Sequence, residues 1–102
     1  MKNLTLIAHA DIKERLADTL RSLELVSEFT FTQVESHSAQ DEHDCALSAR
    51  DSVIGYTPHV RVDILLMSED VDNVLQSLRT ADCGLAGRAI YQITAVEKQG
   101  SL

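Results

Sequence analysis

Between residues 59 and 84 the hydrophobic period of the chain changes once, and the change marks a strand followed by a helix. Over 60–67, Val60, Val62, Ile64 and Leu66 fall on one face of an extended chain, and Arg61, Asp63, Leu65 and Met67 on the other. Beyond it, Val71, Val74, Leu75 and Leu78 stand at i, i+3, i+4 and i+7, while Asp72, Asn73, Gln76 and Arg79 take the wet side. Ser68 is placed to cap the helix, and Glu69 and Asp70 put negative charge at the positive end of its dipole. Gly84 is expected to stop the helix, and 88–96 reads as another strand.

The first third of the chain follows the same plan. Leu4, Leu6 and Ala8 alternate with Thr5, Ile7 and His9, which predicts a strand. Asp11 and Glu14 make a capping-box-like start, and Ile12, Leu16, Leu20 and Leu23 behind it predict a helix over 12–23. Phe29, Thr30, Phe31, Thr32 and Val34 predict a second strand. From 36 to 58 the periodicity fails among polar clusters, Gly55, Pro58 and the acidic run Asp41, Glu42 and Asp44. Loops of that length inside a small domain are usually functional or mobile.

The resulting order, β-α-β, long loop, β-α-β, implies an α+β fold, the ferredoxin-like βαββαβ arrangement. It consists of a four-stranded antiparallel sheet with two helices on one face, in a single domain over 1–102. Either parity of the later strands carries apolar residues, Leu65 and Met67 against Val60 and Val62, and Ile90 and Val96 against Tyr91 and Ile93. That pattern predicts a sheet covered on both sides, with another copy of the chain as the second cover and Leu65 and Met67 in the contact.

Composition narrows the function. The 102 residues fit one domain, and 44% apolar and 25% charged residues with one Pro and four Gly argue for an ordered globule rather than a disordered chain. Nine Lys and Arg against 16 Asp and Glu give a net charge of −7, which repels phosphate backbones and disfavours nucleic acid. The N-terminal apolar run ends at Asp11, too short for membrane insertion and without a cleavage site, so a cytoplasmic protein is expected. Cys45 and Cys83 stand far apart with no C-x-x-C, which suits reduced thiols.

Transition-metal chemistry is concentrated in the loop, where His37, His43 and Cys45 accompany its acidic run and His59 stands at its exit. Imidazole and thiolate suit Zn, Cu or Ni, and carboxylates help to hold a dication. The spacing of His43 and Cys45 matches neither a zinc finger nor a C-x-x-C clamp, so a solvated loop or a partner-docking surface competes with the metal reading. Cys83 reads as a small thiol packing a helix end, and His9 as a surface histidine. Enzymatic versions of the fold fare worse. His9-Ala10-Asp11 leaves no room for a phosphate-cradling loop, a metal-carrier C-x-x-C is missing from the same junction, and the aromatics of an RNA-binding sheet are absent. No spacing marks a nucleophile with its base, so a non-enzymatic protein is expected.

The segment 56–66, with the helix behind it, resembles the "F-L-P-K-V-K-I-E-I-V-V" strand entry of the PII and PII-like signalling proteins. EFTFTQVES, 28–36, resembles their strand leading into the long T-loop, and ADCGLAGRAIYQI resembles the "T-G-x-I-G-D-G-K-I-F" B-loop that cradles nucleotide phosphates. The resemblance covers nearly the whole chain and implies a non-enzymatic homotrimer with sheets facing inward. It further implies a small effector in intersubunit clefts and a regulated partner, a membrane transporter or an enzyme, met by the T-loop-like 36–58 segment, with nitrogen regulation as the pathway. Gly84 and Gly87 match B-loop glycines, Arg88 stands for the lysine, and His59 replaces the lysine after the proline. The loop is one residue short, lacks the Asp-Gly pair and the Tyr-Arg-Gly signature, and the arginine-bearing C-terminal loop is missing. ATP binding is accordingly expected to be weak or absent. A relation to PII-like domains encoded near heavy-metal efflux systems and to the trimeric CutA proteins implies the alternative function, a metal-binding protein of heavy-metal homeostasis.

Overall fold

The computed structural model describes residues 1–37, 56–81, 84–85 and 88–102. Strands β1 (Lys2–His9), β2 (Phe29–Ser36), β3 (Thr57–Leu66) and β4 (Ala89–Ala95) form one antiparallel sheet in the order β2-β3-β1-β4. Helices α1 (Lys13–Ser22) and α2 (Val71–Thr80) pack on one face of it. The ferredoxin-like arrangement expected from the sequence is thus the one observed. Among the described residues, no helix is long and apolar enough to cross a membrane.

The core is built from the two periodicities. Leu4, Leu6, Val62, Ile64 and Leu66 on the sheet meet Leu16 and Leu20 of α1 and Val71, Val74, Leu75 and Leu78 of α2. Burying each such aliphatic side chain contributes about 1.5–3 kcal/mol, so this cluster is the main term holding the layers together.

The helix ends differ from the sequence reading. Each helix is entered through a tight 3-10 turn, Ala10–Ile12 before α1 and Ser68–Asp70 before α2. At the first turn the His9 side chain, not Asp11, accepts the Asp11 N–H. At the second, Ser68 lies inside the turn and no side chain caps the helix. Both strands run into their helices with almost no connecting loop, and a 3-10 turn is the shorter way round. Gly84 does not stop α2, which ends at Thr80 with Ala81 extended. There the Thr80 hydroxyl donates to the Gln76 and Ser77 carbonyls, satisfying acceptors a glycine cap would have served.

The strand before α2 also starts earlier than predicted, taking Thr57 and Pro58 out of the loop, with Pro58 opposite Glu35 and Thr57 opposite Ser36. Pro58 is tolerated because the β1 ladder begins only at His59, opposite His9, so one side of β3 is still an edge there.

The sheet face away from the helices is more polar than the sequence implied. Leu65, Ile7, Ile90 and Val34 lie on it by register, but its centre is the row Thr30, Asp63, Thr5 and Gln92. Asp63 Oδ1 accepts from Asn3 Nδ2 at 3.1 Å and from Thr5 Oγ1 at 2.8 Å, and Arg61 Nε donates to Oδ2 at 3.2 Å. Met67 and Val96, counted as apolar face residues from the sequence, lie just beyond the ends of β3 and β4.

Partial burial pushes the Asp63 carboxyl up, but the hydrogen bonds from Asn3, Arg61 and Thr5 and the Arg61 charge outweigh it and hold its pKa below the ordinary value. A depressed folded-state pKa contributes stability that is complete above the unfolded value and fades as pH falls through the folded one. Asp63→Asn is therefore expected to cost about 1 kcal/mol at neutral pH. The two proteins should converge in Tm as the pH drops below the ordinary carboxylate range, through the depressed pKa of Asp63, a comparison read by circular dichroism melts.

Candidate functional site

The C-terminal end of β1 and the N-terminal end of β3 meet at one end of the sheet. His9 stands directly opposite His59 there, and residues so paired point to the same side, here the face away from the helices. The two rings are 5.9 Å apart and tilted by 58°. His59 Nδ1 lies 3.2 Å from the Thr57 carbonyl, a contact that places its proton on Nδ1 in the neutral ring.

His9 Nδ1 is within 3.1 Å of both the Asp11 amide and the Asp11 carboxylate. One nitrogen cannot serve both at once. A neutral ring accepting from the amide carries its proton on Nε2, whereas an imidazolium turns Nδ1 into a donor to the carboxylate. Asp11 in turn accepts from Arg88 Nη2 at 3.3 Å. Arg88, Asp11, His9 and His59 thus form one connected chain of charged and titratable groups at the sheet end.

The turn before β4 carries Arg88 to this place. The Arg88 amide donates to the Leu85 carbonyl at 3.0 Å. Gly84 has φ +84°, and a Cβ there would come within 3.3 Å of both Ile12 and Arg15 at the start of α1. Glycine thus lets the turn take a left-handed conformation and lie close against the first helix.

The roots of the long loop open at the same end. His37 Nε2 is 3.3 Å from Glu35 Oε2, and its ring lies 5.7 Å from that of Tyr56. A cleft of about 330 Å³ runs beside them, lined by Gln33, Glu35, Tyr56, Pro58 and His59. Of the residues singled out in the sequence, His59 and Arg88 are thus brought to one cluster, Gly84 to the turn beneath it and His37 to the adjoining loop root. His43, Cys45 and Gly87 lie outside the described residues. Among the described residues no three His, Cys, Asp or Glu side chains are grouped to hold a metal ion. Leu65 is half-buried on the face away from the helices and Met67 is 48% exposed.

Sequence reasoning missed His9 and Asp11 as members of the cluster. The signal was present, since antiparallel pairing of two strands that end in His9 and begin near His59 places the imidazoles opposite one another. Chemically, the cluster can receive a small anion. The Arg88–Asp11 pair is half-exposed, and an exposed ion pair is worth at most about 1 kcal/mol, so a ligand carboxylate or phosphate can replace Asp11 at little cost.

The family described as "Protein of unknown function (DUF3240)" matches residues 1–102. Among solved structures, the chain is similar to the crystal structure of a DUF3240 family protein from Shewanella baltica OS155. The match has 24% identity and a TM-score of 0.75, covering 99% of this chain and 94% of that one. At that identity the likeness shows the fold. No curated protein matches the chain.

Proposed function

We propose that this chain, which belongs to the DUF3240 family, is a non-enzymatic PII-like regulatory protein. It acts as a homotrimer that takes a small effector near Gly84, Gly87, Arg88 and His59 and meets a partner protein through the 36–58 loop. The observation that carries this reading is the placement of His59 and Arg88 in one cluster, through His9 and Asp11, at the end of the sheet where both roots of the loop emerge. An anion that displaces Asp11 from Arg88 there would be felt at the base of the loop.

The sheet edges support the oligomer. Among the described residues β2 and β4 are its two edge strands, and they differ in sequence, so a head-to-tail contact between unlike edges would generate a ring. Along Ala89–Ala95, β4 carries neither charge nor proline, the usual devices that keep an edge strand from pairing.

Nucleotide is the first test of the effector. His59 stands where the resembling family has a lysine after the proline, and the segment before Arg88 is one residue short of its B-loop. Losing two charge-assisted hydrogen bonds to phosphate on that account, each worth about 1.5–3 kcal/mol, weakens a nucleotide site about a hundredfold or more. Equilibrium dialysis with labelled ATP is expected to give a Kd no tighter than roughly millimolar. A Kd of about 10 μM would show that the divergent turn still grips triphosphate.

The alternative, a transition-metal protein of heavy-metal homeostasis, has one anchor in the described residues, His37 beside Glu35 at the loop root. Calorimetric titration with Zn, Cu and Ni separates the two readings. Binding at about micromolar affinity, abolished in a His43→Ala, Cys45→Ser double variant, is the outcome expected of the metal reading, and its absence is the outcome expected of the regulatory one.

A further inference from the structure

We propose that the groove between α2 and β4 binds a small amphipathic carboxylate, with its hydrocarbon tail in the groove and its head on Arg79. The groove lies on the helix side of the sheet, where α2 leaves β4 uncovered. Tyr91 and Ile93 point to that side by register yet are 50% and 44% exposed. Its lining includes the almost fully buried Leu6, Leu75 and Leu78 together with Leu85 and Tyr91, and its volume is about 260 Å³. At about 30 Å³ for each water-sized group, that space accommodates a chain of about eight carbons.

Among the described residues, Arg79 is the one charged side chain that lines the groove. Its guanidinium carbon sits 5.9 Å from the centre of the Tyr91 ring, and it makes no ion pair or hydrogen bond with any described residue, in a chain with 16 Asp and Glu. Contact with a ring face engages the charge through the ring quadrupole and leaves N–H groups for a carboxylate, which guanidinium binds in a two-pronged manner. The net charge of −7 repels anions in general, so retention requires a ligand with apolar surface as well as a single negative head.

Isothermal titration of the full chain with sodium octanoate, followed by light scattering on the same samples, tests the assignment. One octanoate per chain is expected, with binding weakened about tenfold or more by Arg79→Gln, partly restored by Arg79→Lys, and about tenfold weaker for 1-octanol than for octanoate. Arg79 is exposed, so circular dichroism should be unchanged in both variants. Failure of octanoate to bind at about 1 mM would overturn the proposal, as would equal affinity of the Arg79→Gln variant. So would binding seen only when the assembly dissociates, since a second copy would then be the natural occupant of the groove.

Discussion

Ile64→Asp is expected to leave no cooperatively folded protein. Ile64 is fully buried towards the C-terminal end of β3, between Leu4 on one side and Phe29 on the other, and belongs to the core shared by both helices. An aspartate there loses the apolar contact and buries a carboxylate with no partner, a penalty of several kcal/mol even if the group is neutralised by protonation. Domains of this size have only about 5–15 kcal/mol to lose. Far-UV circular dichroism and a denaturant titration should show a flat, non-cooperative signal. A sigmoidal transition near that of the parent protein would mean that the parity of β3 is misassigned.

One residue further on, the same substitution should do something different. Leu65 lies on the opposite face of β3, away from the helices, so Leu65→Asp should leave the monomer folded with a nearly unchanged dichroism spectrum. If the trimer packs that face inward, the variant places three like charges in the contact, and several kcal/mol for each buried unpaired charge should dissociate it. Size-exclusion chromatography with light scattering reads the outcome. A Leu65→Asp protein that keeps the parental mass would place the contact between copies elsewhere, with the edge strands β2 and β4 next to be examined.

The contrast between Ile64 and Leu65 shows what the sequence made legible. Strand parity and the stripe Val71, Val74, Leu75 and Leu78 identified the core because burial imposes a period on each element, and every one of those four helical positions is buried. The helix starts were harder to read, since propensity gives residue types that can cap but not the path of the backbone; a 3-10 entry moved Ser68 inside the turn and gave the first cap to His9. The apolar reading of the second sheet face was incomplete for a related reason. Counting apolar side chains along strands overlooks which polar ones satisfy one another across them, as Asn3, Thr5 and Arg61 do around Asp63.

The candidate site was half legible. His59 and Arg88 were found through a family resemblance, but their link through His9 and Asp11 depends on a register and a turn that only the folded chain specifies. Gly84 was read both as the stop of α2 and as a B-loop glycine, and only the turn reading fits. Its left-handed φ serves the turn beside α1 rather than the end of α2. A regulatory protein working as a trimer has a mass that multi-angle light scattering of the purified full chain at micromolar concentration reads without further assumption. A single species of about three times the 11.3 kDa chain mass is expected, and a monodisperse species at the mass of one chain would contradict the trimer.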